Sequence, residues 1–162
     1  MKNLNRLLII SFFILLTIST ILYISLTVEI GDIPKNKYFD NSNFRTRGHV
    51  YQYYQSGAKY EGEREALRES LLVKNINFKS LQNGWITIRF IVNYEGDTDR
   101  FRFFCIDKNY NEAILNKSDE ENILRQIRLL KNWKIGRIDN KVVDSYSQIT
   151  FKIEDGKITD IF

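Results

Sequence analysis

The chain has 162 residues, and its 24 lysines and arginines against 20 aspartates and glutamates give a net charge of +4 at pH 7. Charges of both signs are interspersed along it, which is typical of a solvated surface and argues against nucleic-acid binding. The single cysteine, Cys105, excludes an internal disulfide. The single histidine, His49, leaves little material for a histidine-based metal site or a catalytic triad. We therefore expect no cofactor and no metal.

An apolar segment lies near the N-terminus. Residues 7–27 carry no charge, and about 20 apolar residues suffice to cross the hydrocarbon core of a membrane. Lys2 and Arg6 precede this segment and acidic residues follow it, so the positive-inside rule places residues 1–6 in the cytoplasm. The alternative is a cleaved signal peptide, but such peptides have shorter apolar cores and a small-residue cleavage site.

The next segment is polar and is interrupted by Gly31, Pro34 and Gly48. Such residues favour turns, so we interpret residues 28–50 as a linker and residues 51–162 as one small domain. The aromatic sequence HVYQYY at residues 49–54 predicts a short strand. A stacking or sugar-binding surface is the alternative use of these rings, although such residues more often pack a core.

Hydrophobic spacing predicts the main elements of the domain. Residues 61–74 have their apolar positions on one face of a helix. Apolar and polar residues alternate from 86 to 93 and from 100 to 106, and Glu95-Gly96-Asp97 supplies a turn between them. This pattern predicts an antiparallel hairpin with one buried face.

A second helix is predicted after the hairpin. Ser118 and Glu121 have the spacing of a capping box, which indicates a helix start. Apolar residues then recur at spacings of three and four as far as Trp133, and Gly136 lies just beyond them. Alternation in residues 147–153 predicts another strand, and a final strand is expected at 157–162.

This order of elements is strand, helix, two strands, helix, two strands. It predicts an α+β fold in which a small antiparallel sheet packs against two helices, preceded by an N-terminal transmembrane helix.

Four pieces of the domain resemble, in order and spacing, the C-terminal domain of TonB in the form common in Bacteroidetes-type bacteria. They are residues 59–67, 84–96, 129–136 and 140–153. The resemblance covers about residues 54–162. The sequence departs from the family pattern where the first piece lacks a proline and a glycine, and where the third lacks a proline.

The resemblance implies a single-pass protein of the bacterial inner membrane whose periplasmic domain binds a protein or peptide partner, such as an outer-membrane receptor. In that family an extended peptide joins an exposed sheet edge as an added strand. The matching strand is residues 147–153, so the expected partner-binding residues are Gln148, Thr150 and Lys152. These residues equally suit an edge strand that binds nothing, since lysine at an edge opposes aggregation.

The resemblance also implies two features of a TonB-type energy transducer, a histidine in the membrane span and a proline-rich spacer, and both are missing from the sequence. The apolar segment contains no histidine, and Pro34 is the only proline, so no stiff proline-rich spacer follows the segment. We therefore expect a binding module held near its membrane.

Two other classes of function stay open. A structural or assembly subunit would use the same fold with its helices or its anchor as the contact surface. An enzyme is disfavoured, because the acidic pair Glu120 and Glu121 lies in the first turn of a predicted helix, where carboxylates stabilise the helix dipole. No oligomeric state is implied.

Overall fold

The computed structural model describes residues 2–29, 33–36, 40–72 and 74–162. It divides into two compact units, Met1–Ile33 and Pro34–Phe162. Part of the predicted linker, residues 30–32 and 37–39, lies outside the described residues.

The first unit contains helix α1, Lys2–Glu29. Its stretch Asn5–Ile24 is long and apolar enough to cross a membrane, and none of it is buried. The hydroxyls of Ser11, Thr17 and Thr20 donate hydrogen bonds to main-chain carbonyls of the same helix. Hydroxyls satisfied in this way are tolerated in lipid. The predicted N-terminal apolar helix is therefore confirmed as a segment suited to a membrane.

The second unit is built of short and long elements around one sheet. In chain order they are β1 Val50–Tyr51, α2 Tyr53–Ser56, β2 Lys59–Tyr60, α3 Glu63–Leu72, β3 Gly84–Val92, β4 Thr98–Asp107, β5 Glu112–Ala113, α4 Lys117–Arg128, β6 Trp133–Lys134, β7 Gly136–Ile138, β8 Lys141–Glu154 and β9 Lys157–Ile161. The predicted α+β class and the predicted hairpin of β3 and β4 are confirmed.

The long strand β8 lies inside the sheet. It pairs antiparallel with β3 from Ser145 to Ile153. Its other side pairs with β7, then in parallel with β1, and then with β9. The main path of the sheet is β1-β8-β3-β4-β5.

The expectation that residues 147–153 form a sheet edge is wrong at two of the three expected positions. The main chain of Thr150 exchanges hydrogen bonds of 3.0 and 2.8 Å with Phe162, and Lys152 pairs with Asp160 of β9. Alternation of side chains shows which face of a strand is buried, but it carries no information on which strands lie beside it.

Helices α3 and α4 cover one face of the sheet. Ile86, Ile88 and Phe90 of β3 are fully buried there. They belong to one apolar cluster with residues of α3, α4 and β8, namely Leu67, Leu71, Ile123, Ile127, Ile149, Phe151 and Ile153. These are the inward positions predicted from alternation in the strands and from spacings of three and four in the helices. Their burial is the main favourable term in folding.

Residues 40–52 pack against the opposite face and belong to the domain. Phe44 is buried, and the main chain of Asn41 donates a 2.8 Å hydrogen bond to Asp99. Asp144 accepts hydrogen bonds from the main chains of Arg47 and Tyr94. The predicted linker is therefore too long, because turn-forming residues close packed loops as readily as they form free linkers.

Helix α4 begins and ends earlier than predicted. Asn116 is its N-cap, and the Asn116 side chain accepts a 2.8 Å hydrogen bond from the main chain of Asp119. Ser118 therefore lies inside the helix and does not cap it. The helix ends at Arg128, and Trp133 lies in β6, which pairs with β2.

We expect Asn116→Ala to lower the free energy of unfolding by about 1 kcal/mol, since a backbone donor of the first helical turn loses its acceptor. Ser118→Ala, the matched change at the predicted cap, should alter it by less than about 0.5 kcal/mol. Urea unfolding of the full chain in detergent micelles, followed by tryptophan fluorescence, measures both. A larger loss for Ser118→Ala would place the cap at Ser118.

Candidate functional site

Strand β4 has the long unpaired edge of the sheet. Within the part of the chain that the structure describes, β5 pairs with β4 only at Cys105 and Ile106. The Asp107 N–H donates to Asn111 on this outer side (2.9 Å). Main-chain groups alternate sides along an antiparallel strand, so those of Cys105 and Phe103 point the same way. No described strand forms hydrogen bonds with the outward-facing N–H and C=O groups of Phe103.

One face of α4 runs beside this edge. A cavity of about 560 Å³ separates the two elements and is lined from β4 by Phe101 and Phe103. Its helical lining has the spacing of one helix face and consists of Lys117, Glu120, Glu121, Leu124 and Arg128. A second cavity of about 390 Å³ continues towards β5 and is lined by Cys105, Ala113, Ile114 and Leu115. Phe103 and Glu120 line both cavities, which together form what we call the β4–α4 groove.

Exposed apolar side chains surround the β5 end of the groove. Phe104 is 57% exposed and Ile114 is 84% exposed. Tyr110, 74% exposed, stacks on Trp85 with ring centroids 5.5 Å apart. Single exposed apolar residues are ordinary, but several around one hairpin indicate an interaction surface.

Most charges in the groove have partners. Arg102 forms a 2.9 Å ion pair with Asp40, and the Lys117 ammonium lies 3.8 Å from Glu121. The Arg128 guanidinium lies over the ring of Phe101 at 5.5 Å. These pairings leave little net charge along the walls.

Among the described groove carboxylates without an ion pair, Glu112 is exposed and Glu120 is not. The half-buried carboxylate of Glu120 has no ion pair with any described residue. Burial and the neighbouring negative charge of Glu121 raise its pKa. The same carboxylate acts on Cys105, whose pKa rises to about 11 through burial and through the charge of Glu120. A thiol held neutral in this way is a poor nucleophile.

Taken together, these groups are suited to binding and offer little for catalysis. An unpaired main chain, apolar walls and one unmatched carboxylate can hold an extended polypeptide. Among the described residues, no three histidine, cysteine, aspartate or glutamate side chains are grouped as a metal site would require.

The residues predicted to bind a partner lie elsewhere, on β8. Thr150 hydrogen-bonds Thr87 through their hydroxyls at 2.9 Å, and Lys152 pairs with Glu154 at 2.8 Å. Gln148 is exposed and lines a cavity of about 400 Å³ beside Trp133. The three residues share one face of the sheet, but they do not form an edge.

Of these three residues, only Gln148 has an outer side that no described strand pairs. It lies between Ser145, where pairing with β1 ends, and Thr150, where pairing with Phe162 begins. This gap is shorter than the mean strand of five to six residues, so it is a poorer place for an added strand than β4. The alternation in residues 100–106 predicts only that Phe103 faces inward. Its place at the open edge of the sheet depends on the order of the strands.

Comparison with known proteins provides no further support, since no protein-family model, no curated protein sequence and no solved structure matches this chain. The function must therefore be argued from the groove itself.

We expect Cys105 to react slowly with iodoacetamide. With a pKa of about 11, on the order of one thiol in a thousand is ionised at pH 8. Alkylation of the native full chain, followed by mass spectrometry, should be on the order of a hundredfold slower than in denaturant. Phe104→Cys in a Cys105→Ala background is the exposed control and should react fast. Equal rates at the two positions would contradict the burial of Cys105.

Proposed function

We propose that this chain is a membrane-anchored protein-binding module that takes up an extended peptide of a partner protein as an added strand on β4. The observation that carries the proposal is the main chain of Phe103, which no described strand pairs on its outer side, in a groove whose second wall is α4. In strand addition, main-chain hydrogen bonds provide affinity, and pockets beside the edge select alternate side chains.

The geometry of the groove supports this mode of binding. An added strand would lie about 4.8 Å from β4. The residue opposite Phe103 would exchange both of its main-chain hydrogen bonds with Phe103, and its side chain would share the face on which Phe103 lies. That face is the one covered by α4. The neighbouring residues of the peptide would point to the other face, where Phe104 is exposed.

The anchor supports the location that we propose for this module. Helix α1 would hold the chain in a bacterial inner membrane as a single span. Lys2 and Arg6 favour a cytoplasmic N-terminus, which would put the binding domain in the periplasm. An outer-membrane receptor is the partner implied by the resemblance to TonB. The lack of a proline-rich spacer favours a partner close to the membrane that holds the anchor.

Strand addition predicts that the Phe103 N–H is essential. Peptides are selected from a displayed library of random short peptides against the full chain in lipid nanodiscs. Phe103→Pro removes an outward-facing donor and leaves the ladder with β3 intact. Phe103→Leu keeps the donor and shortens the side chain. We expect Phe103→Pro to bind the selected peptides at least about tenfold more weakly than Phe103→Leu, the equivalent of one lost hydrogen bond.

Hydrogen exchange locates the added strand independently. Peptide binding should slow exchange of the Phe103 amide and leave that of Gln148 unchanged. Protection of Gln148 instead would move the site to β8. Protection of neither amide, or full binding by Phe103→Pro, would contradict strand addition. A peptide-independent dimer that protects Phe103 would assign the edge to self-assembly.

Membrane anchoring by α1 is tested by extraction and proteolysis. We expect the full chain to stay in the membrane pellet after alkaline carbonate extraction. Leu15→Arg with Leu16→Arg should release it, since each arginine costs about 3 kcal/mol at the centre of a span. Leu15→Val with Leu16→Val is the matched control. Protease added to intact spheroplasts should digest the domain, and digestion only after lysis would contradict the proposed orientation.

A further inference from the structure

Glu120 lies at the middle of the β4–α4 groove. It lines both of the cavities that form the groove, and among the described residues it shares that position only with Phe103. Phe103 is also the residue whose main chain is open to an added strand. The carboxylate therefore lies beside the position at which a bound peptide would pair with β4.

The carboxylate of Glu120 lies in the first turn of α4, where the helix dipole favours a negative charge, but it forms no ion pair with any described residue. It is half-buried, whereas Arg102 pairs with Asp40, Lys117 pairs with Glu121, and Arg128 lies over the ring of Phe101. A partly desolvated charge without a counter-charge is unfavourable. Glu112 at the end of the groove is exposed, so water satisfies it. Glu120 is thus the groove charge that a ligand would compensate.

We infer that the groove selects partner strands that carry a lysine or arginine opposite Phe103, with the ammonium or guanidinium group paired to Glu120. This inference rests on the proposed strand addition at β4. A residue directly opposite Phe103 directs its side chain to the same face as the Phe103 ring, which is the face that α4 covers. A long basic side chain reaches the helix from there, with its apolar stem along the groove and its charge at Glu120.

The test uses the same displayed peptide library and the full chain in lipid nanodiscs. The wild type should enrich lysine or arginine at one peptide position. Glu120→Gln should lose that enrichment, and Glu120→Lys should replace it with aspartate or glutamate at the same position. Glu65→Gln, an exposed carboxylate on α3, is the matched control and should keep the wild-type preference.

Measured peptide affinities then isolate the contribution of the pair between Glu120 and the basic residue of the peptide. A selected basic peptide should bind Glu120→Gln about tenfold more weakly than wild type. Replacing its basic residue with norleucine should cost a similar factor against wild type. The two changes together should cost little more than either alone, because they remove the same interaction. Binding of the basic peptide to wild type should also weaken as salt is raised.

The possible outcomes separate this inference from the proposed function. Peptides that need the Phe103 N–H but show no basic preference overturn the role of Glu120 and leave strand addition standing. Enrichment of acidic residues in the wild type overturns it as well. Selection of no peptide, or of peptides indifferent to Phe103→Pro, overturns strand addition itself. If Glu120→Gln misfolds by circular dichroism, salt-independent binding of the basic peptide to wild type overturns the inference.

Discussion

Main-chain hydrogen bonding of β8 is the constraint on which the rest of this fold depends. Polar main-chain groups of a buried strand must be paired, because an unpaired group away from water costs free energy. This chain meets the requirement by placing β3 on one side of β8 and the short strands β7, β1 and β9 on the other. With β8 enclosed, β4 becomes the long strand with an open side, and β5 is too short to close it. The position of the candidate site is therefore a consequence of which strands form main-chain hydrogen bonds with β8.

Buried carboxylates connect the loops to this sheet, and they show by contrast why Glu120 is unusual. Asp119 is buried, and although burial acts to raise its pKa, hydrogen bonds from the side chain and main chain of Ser80 and from the main chain of Lys79 hold that pKa below its usual value. Asp144, also buried, accepts hydrogen bonds from the main chains of Arg47 and Tyr94. Glu120 is the next residue after Asp119 but faces the groove, and its pKa moves upwards. One of these adjacent carboxylates is hydrogen-bonded within the fold, and the other forms no ion pair with any described residue.

The anchor and the domain make complementary contributions to the proposed function. A domain tied to a membrane meets partners of that membrane at a high effective concentration, so a short groove with modest intrinsic affinity suffices. An added strand at β4 would also pair an edge that could otherwise join another copy of the chain. Under the proposed function, the open edge of β4 would serve recognition when a partner is present and would be a risk of self-association when none is.

Local patterns in the sequence determined helix α1, the inward faces of β3, β4 and β8, and the α+β class. These features depend on side-chain polarity at spacings of two to four residues, which the sequence displays directly. The tertiary structure decided that Asn116 caps α4, that Trp133 lies in a strand, that Thr150 and Lys152 are paired on both sides, and that Phe103 lies at the long open edge of β4. Main-chain pairing joins residues far apart in the chain through groups that nearly every residue carries. No side-chain pattern encodes such pairing, so the candidate site was determined only when the strands came together.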